Sequence, residues 1–169
     1  MPEDSQTFKI IVIFALVVIV FFAIASFILF KKVMKSKKRS MAKYLGMEVA
    51  RSRRAGRSLG VVLMELGNDV PRGASEFLPG RTLMVSVFEN NLRNTDMLER
   101  TGFRVYTIIL TETQQLEGSL VVKKRLEKVA ADRGWGQVKI GLASYPEHGD
   151  TAEALMEYAI QDGNITYND

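Results

Sequence analysis

Cysteine is absent from the 169-residue chain, and histidine, tryptophan and proline are scarce, with one, one and four copies. Without cysteine there is no disulfide, no thiol nucleophile and no thiolate metal ligand. A lone His148 cannot form a histidine cluster and is a poor basis for a catalytic triad. Any hydrolytic chemistry would therefore fall to carboxylates. Repeats and low-complexity tracts are also missing, which leaves length for one modest domain plus appendages.

Charge is missing where it matters most. Residues 10–30, "IIVIFALVVIVFFAIASFILF", are 21 consecutive uncharged residues. At about 1.5 Å per residue a helix of that length matches a bilayer's hydrocarbon thickness, so one transmembrane helix is expected there. Ala23-Ile24-Ala25 imitates a signal-peptide cleavage site. Against cleavage, the apolar run is too long for a signal core, continues past that site and has only Lys9 before it.

Residues 1–9 carry Glu3, Asp4 and Lys9, whereas residues 31–57 hold eleven Lys or Arg against one acid, Glu48. The positive-inside rule then places everything after residue 30 in the cytoplasm and the short N-terminus 1–9 on the other side of the membrane. From residue 58 onward, eleven basic residues face sixteen acidic ones, a net −5 in a chain that is +4 as a whole. The basic character belongs to the juxtamembrane stretch. It suits anionic lipid headgroups and gives no argument for a nucleic-acid polymer as partner.

Beyond the basic connecting segment 31–57, predicted helical through Leu45 and Val49, a cytoplasmic domain is expected over 58–169. "LGVVLMEL" (59–66) reads as a buried strand and "GNDVPRGASEFLPG" as a loop. "RTLMVSVFENNLR" (81–93) has amphipathic helical spacing. Strands at 97–100 and 104–110 flank Thr101-Gly102, a helix covers the stretch 113–134, and residues 136–145 alternate as a strand should. Asp150 is the expected N-cap of a last helix, with Glu153 at the capping-box position and Gly163 as the stop. This order, βαββαβ and a closing helix, predicts an α+β ferredoxin-like sandwich with an antiparallel-rich sheet carrying helices on one face.

Three stretches together resemble the GGDEF family, the diguanylate cyclase domain. "VKIGLASYPEHGDTAEALMEYA" (138–159) is similar to the family's closing strand, turn and last helix, and "ARSRRAGRSLGVVLMEL" (50–66) to its leading helix and first strand. "LRNTDMLERTG" (92–102) matches the family pattern Leu-Arg-x-x-Asp-x-x-x-Arg-x-Gly. The resemblance spans about residues 42–163 and implies the family's GGDEF-like elaboration of the same sandwich.

It also implies loss of catalysis. Where the family's signature hairpin has Gly-Gly-acid-Glu-Phe, this chain has Gly102, Phe103, Arg104, Val105 and Tyr106. The family's first metal carboxylate corresponds to Glu65, which is followed by Leu66-Gly67 without a second acid. Arg104 would put a fixed cation where magnesium should sit, and it can pair with Glu65 across adjacent strands. The nucleotide-holding loop is shortened, with Gly80-Arg81 at a Gly-Asp position and Asn68-Asp69 too close to the strand to replace the lost residues. No catalytic residue, metal or cofactor is expected.

What remains is Arg93-x-x-Asp96, at the position of the family's product site. The resemblance implies that Arg93 contacts one guanine of cyclic di-GMP and that Asp96 accepts hydrogen bonds from another, completed by Arg125 or, one residue earlier, Lys124. The chemistry fits: arginine pairs with guanine O6 and N7, and a carboxylate accepts from N1 and N2. The alternative for Asp96 is a turn-closing role. The expectation is a membrane-anchored, catalytically inactive receptor for cyclic di-GMP that regulates a membrane complex of secretion, polysaccharide synthesis or motility and dimerises with ligand. The alternatives are a scaffold that binds no nucleotide, and an active cyclase.

Overall fold

The computed structural model describes residues 3–68, 70, 83–102, 104–113 and 115–167. The elements are α1 (Glu3–Ala55), β1 (Ser58–Glu65), α2 (Leu83–Glu89), β2 (Met97–Arg100), β3 (Val105–Thr113), α3 (Gln115–Ala131), β4 (Lys139–Tyr145) and α4 (Ala152–Gly163). The chain forms two compact units, Met1–Ser36 and Lys37–Asp169.

The first unit is a single helical stretch, the N-terminal part of α1. Its large apolar side chains stand open, Phe14 at 69 % and Phe21 at 68 % exposure. The apolar part of α1 is long and apolar enough to cross a membrane, and among the described residues it is the one helix that is.

In the second unit four antiparallel strands form one sheet in the order β2-β3-β1-β4. β1 is central and buried on both faces, which explains why its sequence is continuously apolar instead of alternating. Leu59, Val61 and Leu63 point to one core, shared with Val105, Ile109 and Ala143 and covered by Met41, Leu45 and Val49 of α1 and Leu155 and Ala159 of α4. Val62 and Met64 point to the other, with Tyr106, Ile108 and Leu142, covered by Phe88 of α2 and Leu126 of α3. Helices therefore lie on both faces of the sheet, where one face was expected. The reason is β1 itself, whose two apolar faces each need a cover.

Met41, Leu45 and Val49 recur every four residues on α1, and burying each stabilises by about 1.5–3 kcal/mol. The compact unit accordingly begins at Lys37 and takes in the end of the basic segment as well as residues 58–169.

Three local expectations are corrected. α2 covers Leu83–Glu89, after which Asn90, Asn91 and Leu92 donate back to Ser86, Phe88 and Glu89 in turns that tighten before Arg93. Thr151, not Asp150, caps α4: its hydroxyl accepts from Ala154 N–H at 3.1 Å. Asp150 is occupied by Arg53, whose Nη2 donates to its carbonyl at 2.7 Å and its carboxylate at 3.3 Å. The helix ends at Asn164 in the left-handed region (φ 47°), with Gly163 as its last residue. Gly163 is needed for a different reason, since a Cβ there would run into the backbone of Gly141 where α4 crosses β4.

Candidate functional site

The Arg-x-x-Asp motif folds as a closed turn between α2 and β2. Asp96 N–H donates to the Arg93 carbonyl at 3.0 Å, and Arg93 N–H donates to Asp96 Oδ2 at 2.8 Å. Asp96 thus does close the turn, as the structural alternative required. The turn is fastened to β3 by Thr111, whose hydroxyl donates to the Thr95 carbonyl at 3.1 Å.

Arg93 and Asp96 line one recess of about 230 Å³, together with Leu110–Thr113 of β3 and Gly118 and Val122 of α3. This is smaller than a usual small-molecule pocket. Arg93 is exposed, and the second oxygen of Asp96 has no hydrogen-bond partner among the described residues. Arg125 and Lys124 are exposed and do not line the recess. Arg125 instead donates from Nη1 to the Asn91 carbonyl at 3.1 Å, holding the segment that enters the turn.

The signature hairpin is closed by Thr101 and Gly102 N–H, which both donate to the Val105 carbonyl, at 3.0 and 3.1 Å. Phe103 lies outside the described residues, as do Asp69 and the loop containing Gly80-Arg81. Tyr106 is buried in the core behind the hairpin. Arg104 sits at φ 60°, a conformation costing a non-glycine residue about 1–2 kcal/mol.

The expected pairing of Arg104 with Glu65 is not formed. The Arg104 side chain is buried, and its Nε donates to the Leu66 carbonyl at 2.8 Å. Its Nη2 donates to the Gly67 and Val70 carbonyls, the latter at 3.1 Å. Glu65 faces elsewhere and accepts from Lys139 Nζ at 3.2 Å and Thr166 N–H at 2.9 Å. Register explains it: Glu65 lies opposite Val105 on β3 and Lys139 on β4, one residue off Arg104. Among the described residues a divalent metal such as magnesium does not fit, since a guanidinium holds the carbonyls beyond β1 and one oxygen of Glu65 is already engaged by Lys139 and Thr166.

Sequence reasoning missed Glu48. It is the lone acid among eleven basic residues of 31–57 and falls beside Leu45 and Val49 on the buried face of α1. Its carboxylate is 3 % exposed and accepts from Arg51 Nη1 at 2.7 Å. Burial and, after it, the charge of the neighbouring Glu48 carboxylate push the Tyr44 phenol up. A second hub is Asp162, whose Oδ2 accepts from Lys123 Nζ at 2.8 Å and Leu142 N–H at 2.9 Å. Burial opposes its ionisation, but those two donors prevail and hold the carboxyl below its ordinary value. Trp135 packs against Phe88, and His148 stacks on Tyr158 while its Nδ1 accepts from Ser144 N–H, both structural placements.

No protein-family model matches the chain. No curated protein matches it either. Solved structures do. The GGDEF domain of Pseudomonas aeruginosa TpbB (YfiN) superposes with a TM-score of 0.62 at 19 % identity, over 75 % of this chain and 80 % of that one. A diguanylate cyclase from Thermotoga maritima gives 0.61 at 15 % identity, over 75 % and 93 %. The GGDEF domain of DgcB from Caulobacter crescentus, solved in complex with c-di-GMP, gives 0.54 at 15 % identity, over 73 % and 78 %. The fold of the second unit is therefore GGDEF-like, the class in which diguanylate cyclase domains are built.

Proposed function

We propose that the chain is a membrane-anchored receptor for cyclic di-GMP that has no cyclase activity. The observation that carries the reading is the convergence of Arg93 and Asp96 on one recess. The turn that presents them is closed by its backbone and by one oxygen of Asp96, which leaves the exposed Arg93 side chain and the second Asp96 oxygen available to a ligand. Arg93 supplies the donors for guanine O6 and N7, and the second oxygen of Asp96 accepts from a guanine edge. Arg125 acts on this turn by positioning its leading segment. The complex of the Caulobacter domain with c-di-GMP supports the choice of ligand for a chain of the same fold.

Inactivity is argued from Arg104. A buried cation bonded to three carbonyls leaves no room for magnesium, which phosphoryl transfer needs to offset charge on the phosphates. The apolar part of α1 serves as the anchor, with the N-terminus in the periplasm and the domain in the cytoplasm, as the basic residues after the span favour. The output of such a receptor is a protein complex of the inner membrane, in secretion, polysaccharide synthesis or motility, and ligand-dependent pairing of two domains. The diguanylate cyclase SiaD, solved with its activator SiaC, gives a precedent in this fold for a protein partner.

The full chain in nanodiscs, titrated with cyclic di-GMP by calorimetry, tests the reading. Micromolar or tighter binding that Arg93→Ala weakens at least tenfold supports it. Lack of binding, or indifference to Arg93→Ala, leaves the scaffold reading, for which the turn-closing bond of Asp96 is sufficient reason to keep the motif.

A further inference from the structure

Helix α3 carries four bases, Lys123, Lys124, Arg125 and Lys128, and two of them are engaged within the domain. Lys123 Nζ donates to Asp162 Oδ2 at 2.8 Å, and Arg125 Nη1 donates to the Asn91 carbonyl at 3.1 Å. Lys124 and Lys128 are exposed and form no ion pair among the described residues, and Glu127 between them pairs with neither. Leu120, Lys124 and Lys128 recur every four residues and so form one ridge of the helix. Leu120 is 38 % exposed, and Val121 beside it is 56 % exposed.

α4 presents a ridge of the opposite sign. Glu153, Glu157 and Gln161 also recur every four residues, all three are exposed, and α4 contains no base. Neither glutamate forms an ion pair among the described residues. Like charges at i and i+4 repel along a helix, so Lys124 with Lys128, and Glu153 with Glu157, each weaken their own helix until an opposite ridge covers them. Tyr158, beside the acidic ridge and 40 % exposed, is held by stacking on His148 with ring centroids 4.0 Å apart. Its free edge is thereby fixed, which lowers the entropy cost of a contact there.

We propose that these ridges are the two halves of one interface, in which α3 of one copy of the chain docks antiparallel on α4 of the next. That alignment sets Lys124 opposite Glu157, Lys128 opposite Glu153 and Leu120 opposite Gln161, with Val121 and Tyr158 on the same side of the seam. α3 covers one face of the sheet through Leu126, and α4 covers the other through Leu155 and Ala159. The ridges therefore cannot meet within one molecule, and because they lie on opposite faces the contact repeats into a row of copies instead of closing a two-fold pair. One pair of helices makes a small interface, of the weak kind. Copies anchored by the apolar part of α1 share one membrane surface, and that confinement supplies the effective concentration the contact needs. The row requires no nucleotide, so it goes beyond the receptor reading and does not depend on it.

The test is cross-linking of the full chain in proteoliposomes without nucleotide, using introduced thiols in a chain that has no cysteine of its own. Copies with Leu120→Cys mixed with copies with Gln161→Cys should join under a short bis-maleimide, and neither variant should join to itself. The double variant should give a ladder that runs past the dimer. Lys124→Glu in the Leu120→Cys copy should cut the mixed yield about tenfold by setting like charges face to face, and Glu157→Lys in the other copy should restore it. All four positions are exposed, so urea midpoints near wild type should accompany every variant. A mixed product that is absent, or that Lys124→Glu leaves unchanged, overturns the proposal, the second result marking random collision. Self-linking of Leu120→Cys at the mixed yield, or a double variant that stops at the dimer, overturns it in favour of a two-fold contact.

Discussion

Thr111 on β3 donates its hydroxyl to the carbonyl of Thr95 in the middle of the Arg-x-x-Asp turn, 16 residues earlier, at 3.1 Å. This bond ties the motif to the sheet, so that Arg93 and Asp96 present their groups from a fixed backbone. Thr111→Val keeps the shape and removes the donor. A hydrogen bond of this class contributes about 1 kcal/mol, so Thr111→Val should lose about that much stability in urea unfolding, and affinity for cyclic di-GMP should fall about fivefold as the turn loosens. Unchanged affinity in the titration would mean that the turn holds itself.

Asp96 has two duties that one pair of substitutions separates. Asparagine retains an oxygen for the Arg93 N–H but loses the charge and turns one acceptor into a donor, whereas alanine loses both functions. Asp96→Asn should keep urea stability near wild type while losing tenfold or more in ligand affinity. Asp96→Ala should lose about 1 kcal/mol of stability as well. If both variants lose stability equally and binding is untouched, the residue is a turn former only.

The motif was legible in the sequence because its geometry is local: residues three apart close a turn wherever the chain reverses. β1 was legible for a similar reason, its unbroken apolar run from Leu59 to Met64 marking a strand covered on both faces, although the consequence for helix placement was not drawn from it. Long-range geometry was not legible. That Arg104 bonds carbonyls 34 to 38 residues away depends on its left-handed backbone and on a one-residue register offset from Glu65. Glu48 looked like an exception in a basic segment, and only the packing of Leu45 and Val49 shows that it points inward. Asp150 and Thr151 are both good caps by type, and Arg53 decides between them.

Acid should weaken the domain through Asp162. Its carboxyl sits below the ordinary value of about 3.9, so its stabilisation is fully present above that value and is lost as pH falls through the lower folded-state value. The window is therefore below about pH 4. The side chain is about a third exposed, 35 %, so solvent screening keeps the effect modest. Urea midpoints of wild type and Asp162→Asn should differ most near neutral pH and converge on acidification. A constant gap from pH 6 to pH 3 would assign the contribution to packing.

Orientation can be read directly, because a chain without cysteine accepts single reporter thiols. Ser5→Cys should react with a membrane-impermeant maleimide added to intact spheroplasts, and Asn164→Cys only after lysis. The basic residues that follow the span are the physical reason, since they resist translocation. The reverse labelling pattern would put the domain outside and separate it from any cytoplasmic nucleotide.

Arg104 makes the sharpest structural prediction. Its guanidinium is buried and serves three carbonyls beyond β1, so Arg104→Ala leaves those acceptors unpaired and should cost about 2–4 kcal/mol in urea unfolding. Free guanidinium at low millimolar concentration, well below denaturing levels, should restore part of the loss, and potassium at the same ionic strength should not, because the carbonyls are arranged for planar N–H donors. Arg104→Lys should rescue little, since an ammonium cannot reach three carbonyls in the same fork. Arg104→Glu reinstates an acid at the signature position, yet it should not produce cyclic di-GMP from GTP and magnesium, because Glu65 stays engaged by Lys139 and Thr166. Product formation by wild type would overturn the inactive reading outright. Product formation by Arg104→Glu alone would show that this arginine is the single block to catalysis.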